Sequence, residues 1–160
     1  MAVDMFLKID GINGESVDDK HKKEIDVLGW SWGATQSGTT HVGGGSGAGK
    51  ANFQDISVTK WVDSASHKLL GSVAKGTHIK EATLTVRKAG EKPLEYIKLI
   101  MKNCLISSVS TGASGSEDRL TENISINFGE FEFDYTPQKP DGSGDSVLPF
   151  KFSIAENVEK

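Results

Sequence analysis

The run Gly44-Gly45-Ser46-Gly47-Ala48-Gly49-Lys50 carries the glycines and the lysine of a phosphate-binding loop. In such a loop the backbone N–H groups cradle phosphates and the lysine reaches the terminal ones. The chemistry also needs Ser or Thr next, to hold magnesium, and a buried strand before and a helix after. Here Ala51 follows Lys50, the polar run Gln36 to His41 precedes the motif, and the segment after it, Phe53 to Thr59, has strand character. The motif therefore reads as a glycine-rich loop, not a nucleotide site. Glu130, Glu132 and Asp134 share one face of a strand and offer the paired carboxyl groups of a glycosidase. They alternate with Phe131, Phe133 and Tyr135, which is the pattern of a wet acidic face opposite a core face. His67 lies three residues from Ser64 and four from Asp63, but nothing marks the oxyanion hole that a Ser-His-Asp site requires. His21, His41, His67 and His78 have no metal-ligand spacing. Cys104, beside Leu105 and Ile106, reads as buried and inert. Trp30 and Trp32 could stack on a sugar, yet their place on the bulky face of an alternating strand suits a core or an interface. No catalytic set emerges, and no cofactor or metal is implied.

The elements that position these residues are mostly strands. Met5, Leu7 and Ile9 alternate with polar neighbours, and so do Ile56 and Val58, and Ala82, Leu84 and Val86. Leu28, Trp30, Trp32 and Ala34 alternate with Gly29, Ser31, Gly33 and Thr35, giving one bulky face and one face of small residues. Ile124, Ile126 and Phe128 give way to Phe131, Phe133 and Tyr135, so the buried phase shifts at Gly129 as a bulge would require. Leu148, Phe150, Phe152 and Ile154 alternate near the end. The stretch Tyr96 to Val109 is apolar on both faces. Ile97, Leu99, Met101 and Leu105 lie on one side, with Tyr96, Ile100, Cys104 and Ile106 on the other. A strand of that kind is covered twice, once by the core and once by a helix or a neighbouring subunit. One segment is helical: Asp63 and Ser64 can cap it, Ala65, Leu69, Leu70 and Val73 follow helical spacing, and Gly76 ends it. The fold class is mainly β, an antiparallel β-barrel with one short flanking α-helix.

The chain has 160 residues, enough for one domain that holds a core without disulfides, and residues 1–160 are read as that single domain. A net charge of −4 argues against nucleic acid. No apolar run approaches the ~20 residues of a bilayer span, so no membrane insertion is expected. Met1 to Asp10 lacks the pattern of a secretory signal, which points to synthesis and folding in the cytoplasm. Gln36 to Asn52 is the longest glycine-rich stretch, and loops of that length inside a compact domain usually make contacts.

Several segments, in order, resemble the haemolysin-coregulated protein (Hcp) family of type VI secretion. They are Met1 to Ile9, Glu24 to Gly33, the stretch Asp55 to Leu69 with Thr59-Lys60, Asp63, Ser66 and Leu69, then Ser107 to Gly112 and Glu117 to Asn123. One departure is that His67 follows Ser66 where the family often has proline. The resemblance implies a small β-barrel with a short helix, six copies in a homohexameric ring, and rings stacked into a tube. It also implies a contractile sheath, a VgrG-like spike protein, effector cargo carried in the lumen, and export through the type VI system without a signal peptide.

On that picture the residues acquire candidate roles. Tyr96, Ile100 and Ile106 are candidates for the subunit interface. The loop with Gly43, Gly44, Gly45, Gly47, Gly49 and Lys50 is the candidate for ring stacking. Ser31, opposite the tryptophans, is the candidate for a lumen-facing position. Two other classes remain open: a monomeric β-barrel module binding a ligand or carbohydrate through its aromatics, and a nucleotide-hydrolysing enzyme using Lys50.

Overall fold

The structure, a computed structural model, describes residues 3–37 and 50–160. Ten strands and one helix follow in chain order: β1 (Val3–Ile9), β2 (Ile25–Ser31), β3 (Ala34–Thr35), β4 (Asn52–Phe53), β5 (Ile56–Trp61), α1 (Ser66–Lys75), β6 (His78–Lys88), β7 (Leu94–Gly112), β8 (Thr121–Tyr135), β9 (Leu148–Ser153) and β10 (Val158–Glu159). Six of the strands close a barrel in the order β1-β6-β7-β8-β5-β2, every neighbour antiparallel. Strand β9 continues the sheet from β8 outside that circuit, and β10 pairs with β9. Strands β3 and β4 pair as a separate two-stranded ribbon.

Period-two alternation places Leu7, Ile9, Ile56, Val58, Ala82, Leu84, Ile124 and Ile126 inside, all nearly inaccessible. Burying such branched side chains contributes roughly 1.5–3 kcal/mol each. In β2 the buried phase runs through Ile25 and Val27, and a bulge between Val27 and Gly29 then moves it to Trp30 and Trp32. Leu28 is left 40% exposed by that bulge, not on the bulky inner face that simple alternation assigns it.

The phase shift expected at Gly129 is present, but it is not a bulge in β8. The pairs Lys102–Glu130 and Cys104–Phe128 keep the same register across it. Asn103, which lies between them on β7, has a φ of +56°, a conformation that Asn tolerates better than most residues. Both long strands change inward phase together, from Leu99 and Met101 to Cys104 and Ile106 on β7, and from Phe128 to Phe131 on β8. The register shift itself falls later, between Ile106 and Ser108.

Helix α1 begins one to two residues later than the cap residues suggested. Its N-cap is Ala65, without a side-chain cap. The Asp63 carboxylate accepts from the Ala65 N–H at 2.9 Å but is also drawn to the Lys60 ammonium at 2.9 Å, so it serves the turn before the helix. Gly76 ends the helix as expected, with φ +63° and left-handed geometry. Ala65 and Leu69 are buried and Val73 packs on the core, while Leu70 faces out.

The polar connection between β1 and β2 is a built element. Ser16 N–H donates to the Glu24 carbonyl and Lys23 N–H to the Ser16 carbonyl, at 3.0 and 2.9 Å. Gly14 is required there, since a Cβ would lie 2.5 Å from the Glu24 carbonyl oxygen. The connection lies over the outer face of β1 and β6. His21 stacks on Phe6 with ring centroids 4.4 Å apart, and Arg87 lies 5.1 Å from the Phe6 centroid on its way to Asp18 and Asp4. Phe6 and Thr85, which alternation assigns to solvent, are therefore buried.

Candidate functional site

The enzymatic sets that the residue types suggested are not brought together among the described residues. Gly43, Gly44, Gly45, Gly47 and Gly49 lie outside the described residues. Lys50 is exposed, and the chain beyond it enters strand β4 at Asn52, where a phosphate loop would open a helix. The Cys104 thiol is buried, and burial pushes its pKa up to about 12, which removes it as a nucleophile. His67 is exposed on α1. His21 is enclosed, with Nδ1 2.9 Å from Glu24 Oε2 and Nε2 2.6 Å from Glu95 Oε1. These contacts fix the β1–β2 connection to the barrel. Among the described residues no group of three or more His, Cys, Asp or Glu could hold a metal.

The aromatic residues form a cluster at one mouth of the barrel. Trp32 meets Phe131 edge-on at 5.0 Å and donates its indole N–H to the Gln54 carbonyl at 2.8 Å. Trp30, Phe53, Phe133 and Phe150 complete an almost wholly apolar cleft. A sugar would need hydrogen-bonding side chains around such rings, and this lining supplies almost none.

The barrel's outer surface has two contrasting faces. The first spans β2, β5, β8 and the second half of β7. Its register aligns Ser31, Ser57, Ser125 and Ser108 in one row and Gly29, Thr59, Asn123 and Ser110 in the next. Side chains there bond sideways. Thr59 donates to Asn123 at 2.6 Å, and Ser107 donates to Asp55 at 2.6 Å while lying 2.7 Å from the Ser125 hydroxyl. Asn127 completes the Asp55 contacts at 2.8 Å. Ser31 is exposed within this face, opposite the inward Trp30 and Trp32.

The second face spans β6, the first half of β7, β8 and β9, and it is charged. Its register sets Ile100 between Thr83 and Glu132, and Lys98 between Thr85 and Asp134. Ile100 is half-buried and outward, with Glu132 and Lys151 beside it and Lys151 Nζ 3.3 Å from Glu132 Oε1. Tyr96 is half-buried under Lys88, whose ammonium lies 5.0 Å from its ring centroid. Ile106 belongs elsewhere: it is 2% exposed within this chain's own core, turned inward by the phase change at Asn103. The expected interface set is thus not one surface, since Tyr96 and Ile100 face outward and Ile106 does not.

Between the barrel and α1 lies a polar network that alternation could not show. Lys60 is fully buried and donates to Asp63, to the Trp61 carbonyl at 2.7 Å and to Glu122. Ser66, the first residue of α1, donates to Glu122 at 2.6 Å. The Thr59-Lys60 and Asp63-x-x-Ser66 spacing was the one available signal, and it is structural, joining β5, β8 and the helix start.

The family profile described as "Type VI secretion system effector, Hcp" matches residues 6–135. The chain is 52% identical over 161 residues to "Protein hcp1" of Pseudomonas aeruginosa, covering 99% of each sequence. Among solved structures, one described as "Structure of a type six secretion system protein" superimposes with a TM-score of 0.94 at 34% identity, covering 99% of this chain and 100% of the other. Hcp1 from Salmonella typhimurium gives a TM-score of 0.80 at 33% identity, with both chains covered in full.

Proposed function

The chain belongs to the Hcp family of type VI secretion, and from that premise we propose that it is a structural subunit whose six copies close a ring, the rings stacking into a secretion tube that carries effector cargo. No described helix is long and apolar enough to cross a membrane. The observation that carries the proposal is the contrast between the two outer faces. A ring needs one surface toward its lumen and different surfaces toward its neighbours, because a cyclic contact joins unlike patches. Among the described residues, the two rows of this face through Ser31 and Gly29 hold no charged group, and the Asp55 carboxylate beside them is already bonded to Ser107 and Asn127. Such a surface stays hydrated and offers many weak partners, which suits passing or holding varied cargo. The face around Tyr96 and Ile100 pairs apolar centres with dense charge, the composition of a specific contact. Sheath, spike and effectors are the partners this reading implies, and it assigns no catalysis to the chain.

Ser31 tests the lumen assignment. Ser31→Gln places a longer side chain on a face of small ones while leaving the barrel core untouched. Rings are expected to persist in electron micrographs, while co-purified effector falls at least several-fold. Unchanged effector retention by intact rings would remove Ser31 from the lumen wall.

The glycine loop tests stacking. Deleting Gly43 to Gly49 shortens the connection between β3 and β4 without touching the six barrel strands. Single rings are expected to survive and tubes to become rare or short in negative-stain images. Tubes of normal length would show that the loop takes no part in stacking.

A further inference from the structure

Glu130, Glu132 and Asp134 occupy successive outward positions on β8 in the charged face, and their surroundings differ. On the β9 side Glu132 faces Lys151, whose ammonium is within 3.3 Å, whereas Asp134 faces Pro149, which has no cation to offer. On the β7 side Asp134 faces Lys98 and Glu130 faces Lys102. The Asp134 Oδ1 atom is buried without a hydrogen-bond partner among the described residues. Beside the pair lies a concavity with Ile100 at its floor and Lys102, Glu130, Glu132, Lys151 and Lys160 around it.

Two carboxyl groups side by side on one strand face, one of them with a buried oxygen, cannot both carry a charge cheaply, and the cheaper arrangement leaves one proton between them. We infer, on the premise that the β7 face is a ring contact, that Glu132 and Asp134 hold one proton between them there and that closing the ring over this face takes a proton up. The surroundings of the two groups act in the same direction. Burial, then the hydrogen bond and charge of Glu132, raise Asp134 to about 6, against the weaker opposing pull of Lys98 and Lys151. Glu132 is lowered: burial alone would raise it, and the hydrogen bonds from Asp134 and Lys151 outweigh that. From the neighbouring elements, β6 presents Thr83 and Thr85 to this row and Glu81 opposite Lys102, and Lys160 stands at the rim near Glu130.

The sign follows from desolvation. A neighbouring subunit laid over the pair removes water, and the doubly ionised form loses more from this than the singly ionised one. The proton is therefore held more tightly in the ring than in the free subunit, and ring closure strengthens as pH falls toward 6 and levels off below it. One proton per contact changes an association constant by at most about tenfold per pH unit.

The test is the concentration at which rings of the intact protein dissociate, read by mass photometry between pH 5.5 and 8.5 at fixed ionic strength. The midpoint is expected to rise severalfold per pH unit above 6, approaching tenfold. Asp134→Asn, which cannot ionise, is expected to hold a flat midpoint close to the native value at pH 5.5. Glu132→Gln, which removes the other member but leaves burial acting on Asp134, is expected to show a shallower slope than the native protein. Native rings whose midpoint ignores pH, or an Asp134→Asn protein that keeps the native slope, would overturn the inference and leave the ring reading intact. Absence of rings from the native protein at every pH would overturn the premise itself.

Discussion

Lys60→Met is expected to cost the fold about 3–5 kcal/mol and to lower its thermal midpoint by roughly 10 °C. Lys60 is fully buried, and it donates to Asp63, Trp61 and Glu122. Methionine replaces the apolar stem but not the ammonium, so the buried Glu122 carboxylate keeps only the Ser66 hydroxyl at 2.6 Å. Its other oxygen, Oε2, already has no partner among the described residues. An orphaned buried charge costs far more than the intact pair contributes. Against a total stability of about 5–15 kcal/mol, the loss is a large fraction. Urea denaturation measures it, and a loss under ~1 kcal/mol would mean that water reaches Glu122 in the folded state. Adding Glu122→Leu to Lys60→Met should recover much of the loss, because the penalty lies in the unpaired partner. The network also ties the first residue of α1 to β8, so the single variant should loosen the helix start before the barrel.

Ile100→Asp is expected to convert rings to monomers while the barrel remains folded. Ile100 is outward and half-buried on β7, so the core does not depend on it. An aspartate at that position stands directly opposite Glu132 and beside the already strained Asp134 pair. Covering three carboxyl groups with a neighbour costs several kcal/mol at each contact, which is a hundredfold or more in affinity, and a closed ring incurs that cost at every junction. Sedimentation velocity with a circular-dichroism control separates assembly from folding. Hexamers of unchanged sedimentation would show that this face is not between subunits.

Much of the barrel is legible in the residues because strand alternation reports directly which side chains face inward. Leu7, Val58, Leu84 and Ile126 were all readable in that way, and so was the helix stop at Gly76. Two of the exceptions share one physical cause. Alternation assumes an unbroken pleat, and a local change of backbone conformation reverses every side chain beyond it. The bulge at Val27 sends Leu28 outward, and the left-handed Asn103 brings Cys104 and Ile106 inward. Ile106 thereby left the expected interface and joined the core. Phe6 was misplaced for a different reason: the connection from β1 to β2 folds back over it, and that cover depends on His21 and Arg87 meeting partners 69 to 74 residues away. The Lys60 and Glu122 pair, 62 residues apart, is equally invisible until β5 and β8 are known to be neighbours. Ser31 is readable as an outward small residue because it follows Trp30 on a strand whose alternation, after the bulge, is intact. That it shares a row with Ser57, Ser125 and Ser108 required the register.

The account rests on the barrel being one subunit of a closed ring. Native mass spectrometry of the unmodified protein tests this most directly, since it counts chains in the assembled species. The expected spectrum is dominated by six copies of the 160-residue chain, with rings stacked on rings at higher concentration. A spectrum containing only the single chain, at pH values on both sides of 6 and at concentrations where a specific contact should form, would contradict it.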